Sequence, residues 1–581
     1  MSKTALLVLA LPLTFSTVFA RTQQIPKAEE HLKLFNKNEA KYVLKNAKGT
    51  ILDASAFLKL QPENWFNLSP ADGAEGVSTE KTYEVMGMPQ SEDIIVAVID
   101  SGVDVNHEDL QGKIWINEGE VANDGIDNDD NGFVDDVFGW NFIGGSNGMA
   151  TIETADNLKN GIRLVKGDPS AQIDADTLEV TRELVRMKKL KKVVESLGEK
   201  LTPTQAAYLQ KVSAVVEKAS SEAKNVVTNY SARLKSYKAA EQVLKNAGVS
   251  TMTIEAVRAI ESTDATVLEA KKIMLSLLAN GLTEARLTAI LDYYGDQLQY
   301  YYNENFNPRT IVGDDYSQQG IETYGTYGNN DVIGPDSSHG THVSGSIAAV
   351  RDNALGIKGV ATNVKIMAIR VVPNGDERDK DVANGIRYAV RNGARVINMS
   401  FGKAYSPFKT EVDKAVEEAE KAGVLLVHAA GNDNKDNDVL PSFPQRTSVE
   451  DNRDFNNWLE IGASSFQKGL SLPADFSNFG KRSVDFFAPG VDILSTTPDN
   501  NYDTYSGTSM ASPTAAGVAA LLLSYDSSMD ADAVKALMID TSRRYPQLKV
   551  NLPGTETPVL FSTLSTYGSI VDALEAAKLL K

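Results

Sequence analysis

The chain has 581 residues, of which 42% are hydrophobic and 23% charged, with a formal net charge of -19 and no cysteine. Such a length buries a large core and implies more than one structural unit in a soluble globular chain. The acidic balance excludes a nucleic-acid backbone as the natural partner, since binding there relies on Lys and Arg. The missing thiols exclude disulfides, a cysteine nucleophile and lipid attachment at cysteine.

In chain order, Met1 to Ala20 reads as a secretory signal peptide. Lys3 supplies the positive start, Ala5 to Leu13 the apolar segment and Val18-Phe19-Ala20 a small-residue cleavage site. The apolar run is short for a bilayer span. The expectation is an exported chain, secreted or periplasmic, with no membrane span once the signal is removed. Residues 21–61 read as an N-terminal extension or short pro-segment, with one or two helices between Lys27 and Lys45.

Ile94 to Ile99 is a continuous apolar, β-branched run, the pattern of a strand buried on both faces of a parallel sheet. It ends at Asp100-Ser101-Gly102, at the carboxyl edge where sites gather in open α/β sheets. Oxygen-bearing side chains then alternate through Asp127-Asn128-Asp129-Asp130-Asn131-Gly132-Phe133-Val134-Asp135, with glycine sixth, as in the first half of a calcium loop. Phe138 rather than Glu stands twelfth, so the loop is no complete EF-hand. Asp127, Asp129, Asn131, Phe133 and Asp135 are the candidate ligands of a structural Ca2+.

The character changes over residues 151–324. Leu178, Leu184, Met187, Leu190, Val194 and Leu197 recur at three- and four-residue spacing, and Thr202-Pro203-Thr204-Gln205 is a capping-box start. Asn280-Gly281 closes one helix and Thr283-Glu284 opens the next. This predicts a helical insertion of several antiparallel helices, with Tyr300 to Tyr302 as packing residues. Over 325–581 the alternation of strands and helices resumes. It predicts strands at Val364–Val372, Ala394–Met399 and Val424–Ala430, and helices at Asp381–Arg391 and Thr410–Ala422. The fold class is α/β, a parallel sheet with helices on both faces, interrupted by the insertion. Asp100, Ser400 and Asn432 then share one edge of one sheet.

Two chemical stretches lie in this second part. Ser338-His339-Gly340-Thr341-His342 opens a helix, so His339 can face a cleft. In Gly507-Thr508-Ser509-Met510-Ala511-Ser512-Pro513 small residues crowd round one serine at a helix start, and Pro513 suits an early helical position. A serine hydroxyl becomes a useful nucleophile when a base takes its proton. Asp100, His339 and Ser509 supply an orienting acid, a base and that nucleophile.

Three motifs, Val98-Ile99-Asp100-Ser101-Gly102-Val103-Asp104, His339-Gly340-Thr341-His342-Val343-Ser344-Gly345 and Gly507 to Pro513, occur in this order. Through them the chain resembles the subtilisin-like serine proteases, the subtilases, over about residues 62–150 and 325–575. The resemblance implies a doubly wound, mostly parallel sheet and peptide-bond hydrolysis through an acyl-enzyme, with polypeptides as substrates. It implies that Asn432, in Ala429-Ala430-Gly431-Asn432, donates to the developing oxyanion. Ser400-Phe401-Gly402 would form an edge strand pairing with substrate backbone, and Ala429, Ala430 and Gly431 the wall of the pocket before the cleaved bond. Asp109 and Asn353 match calcium ligands of family members. The long separation of Asp100 from His339, and the short stretch before the catalytic part, depart from the family. Two other readings are a catalytically silent scaffold that binds through its insertion, and a lipase-type hydrolase. The complete set of four site residues favours an enzyme over the first, and Ala511 stands where the lipase pattern wants its final glycine.

Overall fold

The computed structural model describes residues 63–143, 176–310, 314 and 328–581, with the backbone of 43–45 and 51–53. Strand β1 (Val43–Lys45) pairs antiparallel with β2 (Ile51–Asp53). A helix reaching Lys45 is therefore corrected. Val43 and Ile51 are β-branched, a side-chain shape that suits the pleated ladder better than a helix. The rest of the expected 27–45 helices and the signal stretch lie outside the described residues. Contacts divide the described residues into two units, 63–143, 309–310, 314 and 328–581 in the first, and 43–45, 51–53 and 176–308 in the second. Helix α1 (Thr79–Met86) opens the first.

Beyond β1 and β2 the second unit is helical: α2 (Glu179–Ser196), α3 (Pro203–Asn246), α4 (Ile254–Arg258), α5 (Ala265–Ala279) and α6 (Glu284–Asp296). The capping box forms as its sequence predicts. Thr202 Oγ1 accepts from the Gln205 N–H at 3.2 Å, and Gln205 Oε1 accepts from the Thr202 N–H at 2.9 Å. Tyr237, Ala240 and Leu244 on α3 join Ala270, Met274 and Leu278 on α5 and Leu287 and Ile290 on α6 in one core. The unit thus buries its own apolar stripes. Tyr300 and Tyr301 are buried at a π-helical turn over Gln297–Tyr301.

The first unit carries the large sheet. Its strands are β3 (Ile94–Asp100), β4 (Gly139–Asn141), β5 (Val364–Arg370), β6 (Val396–Met399), β7 (Leu425–Ala429), β8 (Trp458–Ser464), β9 (Phe486–Pro489), β12 (Arg543–Arg544) and β15 (Ser569–Ile570). The hairpins β10 (Ile493–Thr497) with β11 (Asn501–Tyr505), and β13 (Lys549–Asn551) with β14 (Pro558–Leu560), stand apart. The nine strands run in the order β12-β15-β9-β8-β7-β6-β3-β5-β4. Every pairing is parallel except that of β12 with β15.

Helices α7 (Ser338–Ala348), α8 (Asp379–Arg391), α9 (Lys409–Lys421), α10 (Thr508–Tyr525), α11 (Ala531–Asp540) and α12 (Ala573–Lys578) cover this sheet. The two-residue period of β3 sorts its side chains between the faces. Val96 and Val98 join Val343, Ile347 and Leu521 in one core. Ala97 and Ile99 join Val382, Ile386, Val412 and Val416 in the other. Burial on both faces explains the unbroken apolar runs. Helix α10 is buried almost end to end, and each large side chain on it, such as Leu521 or Leu522, contributes about 1.5–3 kcal/mol by leaving water. β5 lies on one side of β3 and β6 on the other. The winding therefore reverses beside β3, which opens a crevice at the carboxyl ends of β3 and β6.

Candidate active site

Asp100 closes β3 and is buried. Its Oδ1 accepts from the Ser101 N–H at 2.7 Å. His339, second in α7, sets Nδ1 at 2.8 Å from Oδ1 and 3.0 Å from Oδ2 of this carboxylate. A carboxylate accepts, so Nδ1 carries the proton and the lone pair of the neutral ring sits on Nε2. The approach depends on Gly340, where a Cβ would lie 2.1 Å from the Gly102 carbonyl oxygen and 3.1 Å from Asp100 Cβ. His342, one turn on, has different partners. Its Nε2 donates to the carbonyls of Ile493 at 3.0 Å and Asp503 at 3.2 Å, its ring stacks on Tyr505, and burial lowers its pKa to about 3.

Ser509 is second in α10 and 1% exposed. Helices α7 and α10 pack together. The Ser509 hydroxyl donates to the Ser400 carbonyl at 3.1 Å, and the Ser400 hydroxyl donates back to the Ser509 carbonyl at 2.9 Å. Pro513 explains the second bond. It lies inside the helix, not in its first turn as the sequence suggested. The Ser509 carbonyl would pair with the N–H four residues on, and proline has none. Ser400 thus takes the place of a missing helical donor and ties the Ser509 backbone to the end of β6. Asn398 holds Ser400 in turn at 2.9 Å and accepts from Ser512 at 2.7 Å.

Asn432 follows β7. Its Oδ1 accepts from the Thr508 N–H at 2.8 Å and the Thr508 hydroxyl at 2.9 Å. Two donors on one atom fix the amide's orientation and leave its NH2 end for a ligand. The Thr508 hydroxyl also accepts from the Gly431 N–H at 3.0 Å. Gly431 has φ +107°, and a Cβ there would meet Asn478 Nδ2 at 2.4 Å. Asn478 braces the turn. It donates to the Ala430 carbonyl at 2.9 Å and accepts from the N–H groups of Asp433 and Lys435, both at 2.9 Å. Sequence reading missed Thr508, Asn478 and the tie role of Ser400. Thr508, flanking Ser509 within Gly507 to Pro513, was within reach, whereas Asn478 lies in an unpatterned loop.

Ser400, Phe401 and Gly402 continue the chain beyond β6, outside any named strand, and Lys403 bridges antiparallel to Phe443. Ala429 ends β7, and Ala430 and Gly431 lead to Asn432. All seven residues thus gather at the carboxyl edge beside Ser509.

In the acidic loop, Glu120, Asp127 and Asp129 bring carboxylate oxygens within 4.8 Å of one another, a set of hard donors that fits a calcium-like cation. Glu120 went unnoticed in the sequence. Asn131 donates to Asp129 Oδ2 at 3.1 Å, and Asp135 accepts from the N–H groups of Asp124 and Gly125, both at 3.1 Å. The Phe133 ring packs on Trp140 and Tyr388. Burial pushes Asp136, bonded to the Tyr388 hydroxyl, up to about 7. Elsewhere Asn353 donates to Asp109 Oδ1 at 2.7 Å, and the Ile357 N–H reaches Oδ2 at 3.1 Å. Burial raises Asp109 above the usual carboxylate range.

A family model described as the subtilase family matches residues 91–557, most of the chain. The thermophilic serine proteinase of Bacillus sp. (strain AK1) is 36% identical over 235 residues, 40% of this chain and 52% of the relative. The chain thus spans about half the length of that relative. Subtilisin DY of Bacillus licheniformis is 36% identical over 222 residues, 38% of this chain and 73% of the relative. Among solved structures, the proteases from Pseudoalteromonas arctica PAMC 21717 match at 28% identity and TM-score 0.36, over 46% of this chain and 82% of that one. With this match across both parts of its sheet, the chain belongs to the subtilase family.

Proposed function

We propose that the chain is an exported serine endopeptidase in which Ser509 is the nucleophile, His339 the base and acid, Asp100 the orienting carboxylate and Asn432 an oxyanion donor. The observation that carries this reading is the 2.8 Å bond from His339 Nδ1 to Asp100 at the sheet edge where Ser509 and Asn432 also lie. It leaves the lone pair of Nε2 for a proton. In the resting arrangement the Ser509 hydroxyl rests on the Ser400 carbonyl. On attack it leaves that bond, gives its proton to His339 Nε2, and Oγ joins the carbonyl carbon of the substrate. The oxygen that becomes negative meets the Asn432 NH2, already aimed by Thr508, so little reorganisation is needed at that moment. His339 then passes the proton to the departing amine, the C–N bond breaks and an ester remains on Ser509. Water, deprotonated by the same ring, hydrolyses the ester and restores the hydroxyl. Ser400, Phe401 and Gly402 would align the substrate backbone, with Ala429, Ala430 and Gly431 beside its side chain. Export rests on the residues of 1–20. Among the described residues, no helix is long and apolar enough to cross a membrane.

A calcium ion would be held by Glu120, Asp127 and Asp129, with Asn131, Phe133 and Asp135 shaping the loop. It would neutralise carboxylates that otherwise repel. Asp109 and Asn353 offer oxygen atoms for a second ion.

The test is cleavage of casein by purified S509A and H339A. Both should lose activity to the same floor while keeping the wild-type melting temperature, because the residues act as a unit. Unchanged cleavage by S509A would contradict the assignment.

A further inference from the structure

A buried acid–imidazole pair lies behind Ser400, Phe401 and Gly402, and no step above uses it. His428 on β7 stands in direct register with Glu460 on β8. Its ring is fully buried, with Nε2 2.8 Å from the Phe401 carbonyl oxygen and Nδ1 3.1 Å and 3.0 Å from the two Glu460 oxygens. A carbonyl only accepts, so Nε2 carries a proton. The opposite edge of the ring, Nδ1, lies against the Glu460 carboxylate. Trp458 Nε1 also donates to Glu460, at 2.9 Å. The Glu460 N–H donates to Asp485 at 2.8 Å, and Arg446 pairs with Asp485 at 3.0 Å. The imidazole is thereby locked between the Phe401 carbonyl and Glu460.

The consequence follows from two successive carbonyls that meet different partners. The Phe401 carbonyl is turned inward onto His428, while the preceding Ser400 carbonyl faces the Ser509 hydroxyl. We infer that the His428–Glu460 pair is a positioning device that pins this segment with alternate backbone groups toward the substrate, and so sets how strongly the residues on the acyl side of the cleaved bond are read. The inference rests on the proposed peptidase reading. His428 touches neither substrate nor reacting atoms and acts through Phe401.

The test compares kcat/KM for a tetrapeptide anilide with that for a single-residue anilide of the same leaving group. Remote contacts are used to raise turnover at the reacting bond, so the wild-type ratio should exceed about tenfold. In H428A the ratio should collapse to within about threefold of one, while the rate of Ser509 labelling by a small fluorophosphonate stays within about threefold of wild type. E460Q preserves the pattern, because Nε2–H still meets the carbonyl and the glutamine amide donates to Nδ1. It should keep the wild-type ratio. Should H428A not fold, H428A/E460A, which leaves no unpaired buried charge, is read the same way. A wild-type ratio retained in either alanine variant, a ratio lost in E460Q, or no gain with length in the wild type would overturn the inference. A wild type that hydrolyses neither substrate would instead overturn the peptidase reading.

Discussion

At the scale of single residues, the site depends on side chains that hold the reacting ones. Asn432 is aimed by two donors from Thr508. In T508V the N–H remains and the hydroxyl is lost, so kcat should fall by about tenfold with KM little changed, less than the hundred- to thousandfold loss known for subtilisin itself when its oxyanion asparagine is removed. Steady-state kinetics on a tetrapeptide anilide checks this, and an unchanged kcat would show that Asn432 needs no such orientation. Burial, with the nearby His339 adding to it, lowers His342 from 6.5 to about 3. The unfolded chain takes up this proton below about 6.5 while the folded chain does not until near 3, so the stability that His342 contributes is present above that window and lost as pH falls through it. H342Q should therefore lose less melting temperature than wild type between about pH 7 and pH 4, and an equal loss would contradict the argument. Asp100, His339 and Ser509 were legible because each sits in a motif of small residues at an element's end. The Ser400–Ser509 tie was not, since it requires knowing that Pro513 falls inside α10 and that β6 ends beneath it.

At the scale of elements, the acidic loop shows what a linear pattern conveys and what it hides. Asp127 and Asp129 were readable from alternation. Glu120 was not, because only the fold brings it back onto them, and Asp135 spends both oxygens on backbone N–H groups. An ion held only by the folded state stabilises it by mass action, about 2.7 kcal/mol at a hundred times its Kd. EGTA should thus lower the melting temperature, added calcium should restore it, and E120Q should shrink the difference. A melting temperature indifferent to both additions would exclude structural calcium here. β3, β5, β6 and β7 were read, since burial on both faces leaves unbroken apolar runs, whereas β8 and β9 on the same sheet were not. β1 was not, because Val43-Leu44-Lys45 is too short to show a period.

At the scale of the molecule, the sequence changes its hydrophobic periodicity over 151–324, and the contacts set Ala175–Pro308 in the second unit. The helical unit buries Leu244, Met274 and Leu287 in a core of its own. Replacing residues 176–308 by a Gly/Ser linker should therefore leave small-peptide hydrolysis within about tenfold of wild type, since the sheet that carries the site keeps its core. A folded deletion variant without any such activity would mean that the helices help build the site. The order of strands was not legible, because which neighbour a buried strand takes depends on crossovers that periodicity does not encode. The central claim is that this edge of the sheet makes Ser509 a nucleophile. Intact-mass and peptide mapping of the wild-type protein after treatment with a fluorophosphonate tests it most directly. The account predicts one adduct per chain, on Ser509, suppressed in H339A. No adduct, or an adduct on another residue, would contradict it.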